Sequence, residues 1–135
     1  MLMNHFISLT IAAEMTARFR NNRENILNPL FQDQNVLPIA ETYDRAAFDT
    51  ILNKPEATGI RIYYGMDENL KMHAIIVAVN EDNEDILSAS SLTETEDEYI
   101  IDSGVRCPEL CPEPSPLNNL SAVGAVQLTL FSALA

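Results

Sequence analysis

The fold is decided by the stretch Gly59–Val79, which reads GIRIYYGMDENLKMHAIIVAV. A polar turn over residues 65–69 separates two apolar segments, and the second, Met72–Val79, is the nearly continuous apolar run typical of a strand buried on both faces. The first segment alternates with a period of two, which predicts a half-exposed strand paired with the buried one. Its predicted faces carry Ile60, Ile62 and Tyr64 on one side and Arg61 and Tyr63 on the other.

Two further strands are predicted downstream of this hairpin. Asn80–Glu84 is a polar turn, after which Ile86–Ala89 returns as a third strand. Tyr99–Ile101 is a fourth short strand, reached through an acidic run that we interpret as a solvated loop.

Upstream of the hairpin the apolar residues repeat as in helices. The first predicted helix is Leu9–Arg23, capped by Ser8 or Thr10, and its buried face is expected to hold Ile11, Ala12, Met15 and Phe19. An Asn-rich irregular connection follows. The second helix is predicted to start near Pro38, a first-turn proline, and to end at Asn53.

These elements predict an α+β fold, with two N-terminal helices packed on a small antiparallel sheet of three to five strands and an apolar C-terminal tail. The α+β domain is expected over residues 1–106 and a spacer rich in Cys and Pro over 107–119, because four prolines there oppose helix and ladder pairing. The tail covers residues 120–135. Its apolar positions fit a strand and also one face of a helix, so both readings stay open.

The charge is strongly negative. The formal net charge is −12, from 20 acidic and 8 basic residues, and only Lys71 and Arg106 are basic after Gly65. Nucleic acid is bound through Lys and Arg that displace counterions from phosphates, so we expect neither nucleic acid nor anionic lipid as a partner.

The location is expected to be cytoplasmic. No basic residue precedes the apolar residues of Met1–Ala13, so a classical signal peptide is not predicted, although non-classical export stays open. No membrane span is expected, because the apolar stretch at the end of the chain is short and diluted by polar residues.

The only cysteines, Cys107 and Cys111, lie four apart in CPELC. They are weak candidates for half a zinc site, with His5 and His73 as the other half, and also candidates for a local disulfide or ordinary thiols. His73 alternates within the buried run, which favours a structural role. We predict no cofactor.

No catalytic residue is predicted. Neither histidine lies in a recognisable nucleophile and base motif, and each of the four glycines is isolated, so no phosphate-binding loop exists. The acidic stretch Asn80–Asp85 superficially resembles a calcium loop but lacks its central glycine and distant glutamate, so we interpret it as a hairpin turn.

Two sets of residues are candidates for protein binding. Arg and Tyr are enriched at binding hot spots, although Tyr can equally cap the edge of the core and Arg61 can pair with an acid. The apolar tail needs cover from water, either in its own subunit or on a neighbour. The candidates are Arg61, Tyr63 and Tyr64 in the strand and Val123, Val126, Leu128, Leu130 and Phe131 in the tail.

With GIRIYYG at Gly59–Gly65, the aliphatic strand after it and the late CPELC, the chain resembles a group of small bacterial proteins. These share a helical N-terminal half, a strand with Gly, Arg and Tyr, an aliphatic strand and a C-terminal end like CPxxC. The resemblance spans Ile7–Cys111 and implies no activity and no catalytic residue.

The sequence therefore predicts a non-enzymatic, self-associating protein whose tail docks on a neighbouring copy, with another protein as an alternative partner. The second hypothesis is a small metal-binding protein or enzyme that uses Cys107, Cys111 and acidic residues.

Overall fold

A computed structural model describes residues 3–88 and 98–118 of the 135-residue chain. The described fold is α+β, with two helices and antiparallel sheets, as the sequence predicts. Two compact units are formed, one from residues 3–40 and 107–118 and the other from Glu41–Arg106. The tail, Leu120–Ala135, lies outside the described residues, and so does the end of the predicted third strand.

Helix α1, Leu9–Asn22, belongs to the first unit. The Ser8 hydroxyl accepts a hydrogen bond from the Ile11 amide at 3.1 Å, which caps the helix as predicted. The buried face differs from the predicted one: Ala13 and Ala17 are 0% and 4% exposed, whereas Ile11 and Met15 are 49% and 55% exposed. The face with small side chains is therefore the one that packs.

The Asn-rich connection after α1 is irregular, with one turn of 3₁₀ helix at Pro29–Phe31. Arg23 organises it, since its guanidinium donates to the Leu37 carbonyl at 2.7 Å and to Asn35 Oδ1 at 3.3 Å. Strand β1, Ala40–Thr42, follows and pairs with β6, Val105–Cys107.

Helix α2, Arg45–Leu52, begins seven residues later than the proline that was predicted to open it. Pro38 lies instead between bends at Leu37 and Ile39, just before β1, and the Ile39 amide donates to the Cys107 carbonyl at 2.7 Å. Since Ile39 and β1 are used in pairing with β6, the helix starts only after Asp44.

The second unit is built around β3, Met72–Val79. One edge of β3 pairs with β2, Gly59–Met66, in a continuous antiparallel register from Gly59↔Val79 to Met66↔Met72. The other edge pairs with β5, Ile100–Ile101, and with β4, Asp85–Ile86. The strand predicted to be central is therefore central.

Helix α2 packs on one face of this sheet. The core of the unit consists of Ile51 from α2 with Ile76, Ala78 and Ile101 from the sheet. Tyr43 and Phe48 close the core with an edge-to-face ring contact, their centroids 5.9 Å apart. Within the described part of the chain, no helix is long and apolar enough to cross a bilayer.

Candidate interaction surface

Strand β2 presents an apolar stripe to solvent. Alternation and the register with β3 put its even-numbered residues on the sheet face that also carries Ile76 and Ala78. The part of that face on β3 and β5 is buried with Ile51 of α2, whereas the part on β2 is open. The β2 stripe consists of Ile60, Ile62, Tyr64 and Met66, which are 40%, 51%, 76% and 58% exposed.

The outer edge of β2 is also open. Across residues 3–88 and 98–118, β2 pairs with β3 alone. The Asp67 amide donates to the Lys71 carbonyl at 3.0 Å, and residues 67 and 71 continue the β2–β3 register. Because hydrogen-bonded pairs alternate in an antiparallel ladder, odd-numbered β2 residues use their main chain toward β3 and even-numbered residues turn theirs outward. The β2 stripe therefore offers side chains and main-chain groups together.

The opposite face of β2 is tied to the sheet. Arg61 forms an ion pair with Asp85 and also donates to the Asn83 carbonyl at 3.0 Å, while the Tyr63 hydroxyl donates to the second oxygen of Asp85. The Tyr63 hydrogen bond and the Arg61 guanidinium lower the pKa of Asp85. The structure thus separates the three predicted strand residues: Arg61 and the Tyr63 hydroxyl bind Asp85, although Tyr63 is still 45% exposed, and Tyr64 on the other face is 76% exposed.

His73 lies between two carboxylates at the turn end of the hairpin. Its Nε2 is 2.7 Å from Asp67 Oδ2, and its Nδ1 is 3.8 Å from Asp102 Oδ1. The Lys71 amide and His73 lower the pKa of Asp67, which also accepts a hydrogen bond from the Asn69 amide at 2.8 Å. Because Nε2 is bound and Nδ1 is buried, neither ring nitrogen faces a substrate from solvent. Asp67 and His73 therefore stabilise the turn between β2 and β3.

Tyr43, on the core side of the sheet, holds a second carboxylate. Its hydroxyl donates to Glu41 and lies 3.1 Å from the Ala74 carbonyl, and Glu41 accepts from the Ala74 amide at 3.2 Å. Burial, followed by the hydrogen bond to Glu41, raises the pKa of Tyr43. These contacts anchor β1 to β3 and leave no free base or nucleophile among the three groups.

Cys107 and Cys111 are joined by a disulfide, with their Cα atoms 4.6 Å apart. In that state the two sulfurs are unavailable as the thiolates that zinc requires. His73 is bound to Asp67, and His5 lies in the extended segment before α1. Among the described residues, no three His, Cys, Asp or Glu side chains are grouped so as to hold a metal ion.

The acidic turn after β3 is bonded to itself. The side-chain oxygen of Asn80 accepts from the amides of Asp82 and Glu84 at 2.9 and 3.0 Å, so the oxygen that would be the first calcium ligand is already occupied. Arg61 is bound to this turn through Asn83. The turn therefore supports β2.

The spacer before the tail is held in the first unit. The Arg20 guanidinium donates to the Leu117 carbonyl at 2.6 Å, and Asn118 closes a turn by accepting from the Ser115 amide at 2.9 Å and donating to the Glu113 carbonyl at 3.1 Å. The predicted tail residues, Val123, Val126, Leu128, Leu130 and Phe131, follow this turn outside the described part of the chain.

No family model matches the chain, and neither a curated protein nor a solved structure matches it.

Proposed function

We propose that this protein is a non-enzymatic protein that self-associates, with its C-terminal tail docking on a neighbouring copy. The observation that carries the proposal is the exposed β2 stripe, above all Tyr64 and Met66, which are 76% and 58% exposed. Contiguous apolar surface on the rim of a sheet is typical of sites that bind another protein segment.

The tail has the composition of a segment that fits such a surface. Residues 120–135 contain no charged side chain. Two copies of a chain with a net charge of −12 repel each other, so a contact between uncharged segments brings them together without adding like charges. The candidate apolar contacts in the tail are Val123, Val126, Leu128, Leu130 and Phe131.

The chain leaves its anchored spacer with enough length to reach another molecule. Arg20 holds the main chain at Leu117, and the 17 residues after Asn118 span up to about 56 Å when extended. This contact fixes the point at which the tail leaves its own subunit, so the length of the tail sets how far it reaches.

The proposal assigns different roles to the two faces of β2. Arg61 and Tyr63 hold the strand through Asp85, and Tyr64 belongs to the surface that the tail covers. A rigid strand is a better acceptor than a mobile one, because less order has to be imposed when the partner binds.

Sedimentation of the full chain and of a version ending at Asn119, which keeps the contacts of Leu117 and Asn118, tests the proposal. We expect the full chain to form a concentration-dependent oligomer and the shortened chain to be a folded monomer with unchanged near-ultraviolet circular dichroism. A monomeric full chain contradicts the proposal. A shortened chain that fails to fold also contradicts it, because the tail would then complete its own subunit.

A tail variant in the full-length chain avoids the truncation. Leu128→Asp places a charge on an apolar position, and Gln127→Asp places the same charge on the neighbouring polar one. We expect the first to weaken assembly and the second to leave it intact. Equal loss in both would mean that net charge, and not tail docking, controls association.

A further inference from the structure

We propose that the tail of a second copy binds as an additional β-strand along the outer edge of β2, over the β2 stripe. This inference rests on the self-association proposed above and names its acceptor and its geometry. The occupant is the stretch 123–130, in which Val126, Leu128 and Leu130 alternate with Gln127 and Thr129.

The main chain of β2 has unpaired groups on its outer edge within the described part of the chain. Ile60, Ile62, Tyr64 and Met66 direct their amides and carbonyls away from β3, as the alternation of the ladder requires. No other strand among the described residues pairs with them. An open edge of eight residues is a template for an incoming extended segment, and main-chain hydrogen bonds supply affinity there.

The alternation of apolar and polar residues in the tail matches the period of two of the β2 stripe. An added strand places every second side chain on the face of the β2 stripe, where it meets the side chains of the neighbouring strand. Val126, Leu128 and Leu130 then lie against Ile62 and Tyr64, and Gln127 and Thr129 point to the other face. The strand reading of the tail therefore places Val126, Leu128 and Leu130 on the β2 stripe and the two polar residues on the other face, where Val123 of the same stretch also falls.

The exposed face of α1 is not an equivalent acceptor. Ile11 and Met15 on this helix are about half exposed. Along α1, however, the main-chain groups are bonded within the helix, so this surface offers side chains alone. The edge of β2 offers apolar contact together with unpaired amides and carbonyls.

Cross-linking in the full-length protein tests the geometry. One variant carries Tyr64→Cys and a second carries Leu128→Cys, and the two are mixed and treated with a short bismaleimide. This reagent spans a register shift of two residues and leaves the Cys107–Cys111 disulfide intact. We expect a covalent dimer. The matched control, Leu30→Cys mixed with Leu128→Cys, is expected to give none, although Leu30 is as exposed as Tyr64 at 78%.

The pair Tyr64→Ala and Tyr64→Pro separates main-chain from side-chain binding. Both remove the ring, but only proline removes the outward amide, while the ladder to β3 is kept. We expect the dissociation constant of the oligomer to rise about tenfold for alanine. For proline we expect a further rise of about fivefold, the equivalent of one lost hydrogen bond.

The outcomes distinguish this inference from the proposed function. A full chain that stays monomeric removes both. An oligomer that gives no cross-link from position 64 to position 128, or that responds equally to alanine and proline, overturns strand addition and leaves self-association standing. A chain that carries both cysteines can form a cross-link within the chain and none between chains. That result shows that the tail docks on its own subunit, and it overturns both this inference and the proposed function. Should the proline variant fail to fold, the cross-link decides.

Discussion

The carboxylate of Asp85 on β4 forms an ion pair with the guanidinium of Arg61 on β2, across the central strand β3. The same carboxylate accepts the Tyr63 hydroxyl, so one side chain binds two residues of β2 on the same face. Residues 61 and 85 are 24 positions apart, and the contact exists only when the sheet has formed. It holds β2 from one face, and the β2 stripe on the other face is exposed among the described residues.

Removing this carboxylate is expected to destabilise the sheet. Asp85→Asn leaves the Arg61 guanidinium without its ionic partner, and we expect a lower melting temperature and a weaker oligomer, since β2 loses its anchor. The control is Glu68→Gln, which removes one negative charge at an exposed turn position. A melting temperature equal to that of the control would mean that Asp85 does not hold β2.

Acid is expected to release the same contacts. The folded-state pKa values of Asp67 and Asp85 are lowered from the ordinary value of 3.8 by their hydrogen bonds. A lowered folded pKa contributes stability that is present above the unfolded value of about 4 and is lost as pH falls through the folded pKa. We therefore expect the melting temperature to fall below about pH 4, and to fall less steeply in Asp67→Asn and Asp85→Asn. Parallel curves for variants and wild type would contradict this.

Gly104→Ala is expected to displace Tyr43. A Cβ at position 104 would lie 2.5 Å from Cζ of the Tyr43 ring, too close for any real contact, and that ring packs on Phe48 and binds Glu41. We expect a loss of about 1 to 3 kcal/mol in the free energy of unfolding, measured by urea denaturation. Gly59→Ala is the comparison, because its Cβ would meet a Val79 methyl at 3.3 Å and requires only a small adjustment. An unchanged urea midpoint in Gly104→Ala would refute the clash.

The disulfide is expected to protect the spacer. Replacing Cys107 and Cys111 together by Ser opens a five-residue loop, which costs about 2 kcal/mol of stability by the loop-entropy relation. Maleimide labelling of the untreated protein is expected to modify no cysteine, because neither is free. Stoichiometric zinc in untagged, unreduced protein, lost on Cys107→Ser, would contradict the disulfide and favour the metal-binding hypothesis.

Two lysine substitutions are expected to distinguish the β2 stripe from the exposed face of α1. Ile62→Lys on the β2 stripe and Met15→Lys on α1 are well matched, since the wild-type side chains are 51% and 55% exposed. We expect the first to raise the dissociation constant of the oligomer by about tenfold or more, because it buries a charge under the docked tail, and the second to leave it unchanged. The reverse result would move the acceptor to α1.

Much of the sheet was predictable because its signals are local. The alternation at Gly59–Met66 and the unbroken apolar run at Met72–Val79 each depend on the chain's own period, and the two strands form where they were predicted. The two faces of β2 followed from the same alternation. Helix α1 was also predicted to within one residue at its end, because the Ser8 cap and the helical repeat are local signals.

Which faces are covered was decided by the tertiary structure. The sequence of α1 favours Ile11 and Met15 as its buried face, yet Ala13 and Ala17 are the buried residues. Small side chains allow close packing against the helix, and the hydrophobic repeat alone does not reveal this preference. Pro38 looked like the start of a helix, but the residues that follow it pair as β1 with β6, over 60 residues away, so no helix forms there. Alternation assigned Arg61 and Tyr64 to opposite faces of β2. Only the contact of Arg61 with Asp85, which joins residues distant in sequence, determined that Arg61 is bound within the sheet, whereas Tyr64 is exposed.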